Sequence, residues 1–92
     1  MPLISAFYGI AIYLYFLNHA VPHFHAIYGE HEDTIAIGTG AILAGRLPAR
    51  ALRLVRMWER SHRIELRRDW ELARSGGPLR PIAPLALHRT PR

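Results

Sequence analysis

The chain has no cysteine and no lysine, and its first 45 residues contain no arginine either. Without cysteine there are no disulfides and no thiolate metal sites, so any metal would have to be held by histidine and carboxylate; the absence suits a reducing cytosol. Without a basic n-region or a small-residue cleavage site, the apolar opening from Met1 to Leu17 does not read as an export signal. It is also too short for a membrane span, turning polar at Asn18-His19. Gly9, the tyrosines at 8, 13 and 15 and several β-branched residues instead predict a buried strand in a cytoplasmic protein. No glycine-rich phosphate loop, serine nucleophile motif, helix-turn-helix pattern or internal repeat is present.

What is present is divided along the chain. Residues 46 to 92 hold all twelve arginines against four acids, whereas residues 1 to 45 hold only three acids, Glu30, Glu32 and Asp33. The halves therefore carry +8 and −3, which make up the net +5. Such asymmetry fits a basic face that meets phosphate or an acidic partner; a solvated arginine-rich helix in a lysine-free chain would produce it too. With 92 residues the chain suffices for one domain. A core of that size leaves stability marginal and homo-oligomerisation open.

Hydrophobic periodicity predicts an α+β fold. Ile10 to Leu17 alternates with apolar or aromatic residues on both faces, as in a central strand covered on both sides. After the break at Asn18 to Pro22, His23 to Tyr28 alternates again, with His23, His25 and Ile27 on one face and Phe24, Ala26 and Tyr28 on the other. Gly29 to Asp33 reads as a turn, Thr34 to Ile37 as a third strand, and Ala41 to Ala44 as a fourth. At Pro48 the period changes, and Ala51, Leu54, Val55, Trp58, His62, Leu66, Trp70 and Ala73 form one apolar stripe ending at Gly76-Gly77. The expectation is an antiparallel meander of about four strands followed by one long C-terminal helix packed on one face, about 40 Å long and kinking near Ser61-His62. The two tryptophans read as anchors onto the sheet. Leu79 to Leu85 allows a short edge pairing or a strap, so residues 1–85 form a single domain and 86–92 a basic, disordered tail.

Taken in order, several local patterns bear a resemblance to a known family. They are Pro2-x-Ile4-Ser5-x-Phe7-Tyr8-Gly9-Ile10, Pro22-His23-Phe24-His25-Ala26-x-Tyr28-Gly29-Glu30, Leu47-Pro48-x-Arg50-Ala51-Leu52-x-Leu54-Val55-x-x-Trp58, Glu65-Leu66-x-x-x-Trp70 and Pro81-Ile82-x-Pro84-Leu85. Together they resemble the small bacterial domain-of-unknown-function family 4160 over residues 2 to 85. The family has no settled activity. The resemblance implies a gene neighbour, a small protein of domain-of-unknown-function family 2442, and a toxin–antitoxin-like module in which that neighbour is the antitoxin. Two positions depart from the family pattern: Val21 stands where a second proline is usual, and Ile27 where an arginine is usual.

The histidine pair admits three readings. Two residues apart on a strand, His23 and His25 project the same way about 7 Å apart, close enough for both to reach one ion or phosphate. A metal site would need Glu30, His31 or His19 to complete it. As acid and base for metal-independent RNA cleavage, the imidazoles would be joined by Tyr28 and by helix arginines. As structural groups, they would bond backbone or a carboxylate such as Glu30 and hold the hairpin. The expected function is the effector of the module, cleaving RNA through His23, His25 and Tyr28, with Arg50, Arg53, Arg56 and Arg60 binding nucleic acid and with no metal or cofactor. The alternative is a non-enzymatic nucleic-acid-binding or autoregulatory subunit with structural histidines. The acids of the helix, Glu59, Glu65 and Asp69, read as exposed partners of nearby arginines.

Overall fold

The computed structural model describes residues 2–86. Two consecutive residues with positive φ, Tyr8 at 49° and Gly9 at 80°, fold the apolar N-terminal run back on itself. One expected central strand is therefore a hairpin of β1 (Leu3–Phe7) and β2 (Ile10–Tyr13), with Phe7 opposite Ile10. Left-handed geometry at both turn residues gives the twist that tight hairpins favour. β3 (His23–Tyr28), β4 (His31–Ala36) and β5 (Ile42–Arg46) follow, each antiparallel to the strand before it. The meander has five strands rather than four. The β3–β4 turn is only Gly29-Glu30, since Tyr28 already opposes His31, so His31 to Asp33 belong to a strand and not to a turn.

Cross-strand partners share a face of the sheet. The register places Phe7, Ile10, Ile12, Phe24, Ala26, Tyr28, Asp33 and Ile35 on one side, and Ala11, Tyr13, His23, His25, Ile27, Glu32 and Thr34 on the other. The first side is covered by α1 (Ala49–Ser61), whose Ala51, Leu54, Val55 and Trp58 are buried. Trp58 lies 5.4 Å from Phe7 and 5.7 Å from Phe24 between ring centroids. Its Nε1 donates to the carbonyl of Ala83 at 2.8 Å. The segment around Ala83 is the expected strap: Ile82 donates its N–H to Ile4 on the outer edge of β1 at 2.8 Å and is itself buried.

The single long helix is two helices. α2 (Arg63–Arg74) begins one residue after α1 ends, at the place where a kink was expected. His62 explains the break. Its Nδ1 bonds the Trp58 carbonyl at 3.0 Å, the acceptor its own N–H would use in a continuous helix, and that N–H shifts to Glu59 at 3.1 Å. Ser61 also bonds back to the Met57 carbonyl at 3.2 Å. In α2, Trp70 packs on Phe16 at 5.2 Å and on His23 at 5.1 Å.

Two acids expected on the helix surface are inside. Glu59 is 1 % exposed; it accepts from the Gly38 N–H at 2.7 Å and from Arg63 at 3.0 and 3.2 Å. Gly38, at φ 102°, holds a backbone conformation that residues with a side chain rarely adopt, and its N–H faces the helix. Asp69 is fully buried and accepts from the Arg80 N–H at 3.0 Å, fastening the strap to α2. Asp33 is also fully buried; burial raises its pKa, opposed first by the backbone N–H of Thr34 and then by the charge of Arg56. Among the described residues no helix is long and apolar enough to cross a membrane.

Removing the Glu59 carboxylate leaves the Gly38 N–H and Arg63 without their acceptor. Glu59→Ala is expected to lower the unfolding free energy by about 2 kcal/mol in urea titrations, whereas Glu71→Ala, which breaks only an exposed pair with Arg74, shifts it by less than about 0.5 kcal/mol.

Candidate functional site

The chemistry-bearing side chains fall on opposite sides of the sheet. On the side opposite α1, His23 and His25 stand on β3 with ring centroids 5.2 Å apart, edge to face. Neither is open to solvent: His23 is 3 % exposed and His25 7 %. Tyr15 lies flat over His25 at 4.6 Å with planes 3° apart, and Trp70 closes over His23.

Each imidazole is held through Nδ1. His23 Nδ1 lies 2.7 Å from the Val21 carbonyl, an acceptor only, so this nitrogen carries the proton. His25 Nδ1 lies 3.3 Å from Glu32 Oε2 and 3.3 Å from Thr34 Oγ1. A carboxylate can only accept, which fixes the same tautomer and leaves the lone pair of His25 on Nε2. That nitrogen is buried without a partner. Burial, reinforced by the neighbouring His23, holds His25 below the ordinary histidine range against the pull of Glu32. His25 is thus the neutral base of a carboxylate–histidine pair, with its basic atom covered.

The expected companions are elsewhere. Tyr28 lies across the sheet from both imidazoles, as the strand alternation itself required, and lines a cavity with Arg50. The carboxylate beside His25 is Glu32, while Glu30 sits in the β3–β4 turn. His31 is exposed at the start of β4 and His19 lies in the loop after β2. Among the described residues no set of three histidine and carboxylate side chains comes together in a way that could hold a metal. Glu32 was overlooked because Gly29 to Asp33 reads as loop; a two-residue turn after Tyr28 would have put Glu32 on the histidine face, diagonal to His25. Tyr15 carries no such signal, since it follows β2 in irregular chain.

The second group is on α1. Arg53, Arg56 and Arg60 line an open groove with Ala49, Leu52 and Met57. Arg50 stands on the helix flank nearer the sheet. The one acid of α1, Glu59, is turned into the core, so the outer surface of this helix carries arginine and no counter-charge. Arg56 donates to the Gly40 carbonyl at 3.0 Å, while Arg50, Arg53 and Arg60 form no ion pair among the described residues. On α2, by contrast, Arg63 and Arg74 are paired with Glu59 and Glu71.

Comparison with known proteins returns one family. The profile of the family described as Domain of unknown function (DUF4160) matches residues 9–71, from the β1–β2 turn to Glu71 of α2. No curated protein and no solved structure matches the chain.

The histidine pair makes a signed prediction. Between the lowered pKa of His25 and about 6.5, the unfolded chain binds a proton that the folded chain refuses. Stability from this group is therefore full above that window and declines as pH falls through it. Asp33 and Asp69, both raised by burial, act in the opposite sense in the carboxylate range. An NMR titration is expected to find His25 below 6.5, and lower still in Glu32→Gln; a midpoint at or above 6.5 would contradict the assignment.

Proposed function

The chain belongs to the DUF4160 family of domains of unknown function, and from that premise we propose that it is a non-enzymatic nucleic-acid-binding subunit that contacts phosphate through the outer face of α1. In the module implied by the family resemblance, it works beside a small protein of domain-of-unknown-function family 2442. What carries this reading is the unbalanced charge of α1: four arginines, no exposed acid and an open groove along the helix. Arg53 and Arg60 are two turns apart, about 10 Å along the axis. Guanidinium groups bind phosphates in forked pairs of hydrogen bonds.

The ribonuclease reading keeps one observation in its favour, the unpartnered lone pair on His25 Nε2. It requires the ring to be uncovered by Tyr15, and it has neither Tyr28 nor a helix arginine on the same face to share the work. The pair of buried His25 with exposed Glu32 joins β3 to β4, and the bond to Val21 holds His23 at the start of β3.

Binding by this face depends steeply on salt. With about four phosphate contacts the slope of log K against log salt is roughly −3, and replacing Arg53 and Arg60 together by alanine reduces it by about 1.5. His25→Gln is expected to leave affinity and slope unchanged. Filter-binding titrations over a salt series measure all three; affinity lost in His25→Gln but kept without Arg53 and Arg60 would reverse the assignment in favour of the histidine face.

A further inference from the structure

Beside the arginine groove there is a cavity of about 260 Å³ between the β1–β2 turn, β3 and the first turn of α1. Its floor is Ile10, Ala51 and Leu54, its walls are Tyr8, Tyr28 and Pro48, and Arg50 completes the lining. This volume is just below the roughly 300–1,000 Å³ range of pockets for drug-sized ligands, which suits a single ring system. The tyrosines remain partly open, Tyr28 at 39 % and Tyr8 at 51 %. The hairpin turn defines the place of the Tyr28 ring: a methyl built on Gly9 would stand 3.4 Å from its Cε1. Neither Tyr28 nor Arg50 takes part in the histidine pair.

We infer that this cavity receives one unpaired nucleobase, and that the ligand of the arginine face is consequently a single-stranded nucleic acid. The inference rests on the reading of α1 as a phosphate-binding face and names its substrate class. An apolar floor and aromatic walls accept the flat face of any base, and stacking of this kind tolerates sequence. Arg50 is placed for the phosphate of the same nucleotide. Arg53 follows one helical turn later, with Arg56 and Arg60 beyond it, so the backbone leaving the cavity runs into the groove. A base within a duplex reaches such a cavity only by leaving its stack and its partner, which costs a few kcal/mol. That cost is what makes the site selective for single strands.

The test compares a short fluorescein-labelled single strand, as RNA and as DNA, with a hairpin duplex of the same sequence, by fluorescence anisotropy on the full chain. The single strand is expected to bind more tightly than the duplex whichever sugar is preferred. Tyr28→Leu should weaken single-strand binding by at least about fivefold and leave the duplex unchanged, while Tyr28→Phe, which keeps the ring, should retain the preference. Thermal melts of both variants show whether the fold is intact, and the Phe variant serves if the Leu variant is unfolded. Equal affinity for single strand and duplex, with Arg53→Ala and Arg60→Ala still weakening both, would overturn the base cavity alone. Binding that ignores the loss of Arg53 and Arg60, or no binding to any strand, would overturn the arginine-face reading with it.

Discussion

The indole of Trp58 is the contact on which the arrangement depends. It is fully buried, packs on Phe7 of β1 and Phe24 of β3, and donates to the strap at Ala83. A side chain of this size buries more apolar surface than any other residue type. Trp58 therefore fixes the rotation of α1, and the rotation decides which residues face water. With Ala51, Leu54, Val55 and Trp58 inward, Arg53 and Arg60 are exposed on the outer face, Arg56 reaches the β4–β5 turn at Gly40, and Arg50 falls on the flank beside Tyr28. His62, stacked on the same indole at 5.5 Å, ends the helix there and lets α2 take its own course toward Phe16 and His23.

The two faces of the sheet have consequently different chemistry. The face opposite α1 carries two histidines held through Nδ1, His23 by the Val21 carbonyl and His25 by Glu32 and Thr34, under the rings of Tyr15 and Trp70. Buried polar groups of this kind are high in consequence whether or not they react, because loss of one partner leaves the other unsatisfied. On α1, Arg50, Arg53 and Arg60 form no ion pair among the described residues. Solvated arginines cost the fold little, and they leave the interaction energy for a ligand that brings negative charge.

Periodicity made much of this legible in the sequence. The alternation of His23 to Tyr28 located β3 to the residue, and the division of its side chains between two faces holds. The stripe from Ala51 to Trp70 identified the packed helix residues, and the prolines near Ile82 pointed to a strap. Hidden were features that depend on conformation at one or two residues. Tyr8-Gly9 turns the chain without an Asn-Gly signature, so β1 and β2 merged into one strand. At His62 a side chain competes with its own backbone for the Trp58 carbonyl, which spacing alone does not reveal. Glu59 looks like a surface partner of Arg63 at i,i+4, and Asp69 like a surface acid beside Arg67 and Arg68; tertiary acceptor roles toward Gly38 and Arg80 take them inside. Glu32 was obscured by a turn shorter than its polar composition implied.

A division of labour follows, in which histidines hold a hairpin and arginines with a tyrosine-walled cavity meet the ligand. Backbone amide chemical-shift mapping of the full chain, titrated with a short single-stranded oligonucleotide, tests it in one experiment. The expected result is a set of perturbed signals along Ala49 to Arg60, at Tyr8 and Gly9 and at Tyr28, with His23, His25, Glu32 and Thr34 unmoved. Perturbation centred on His23, His25 and Glu32, with α1 silent, would contradict it.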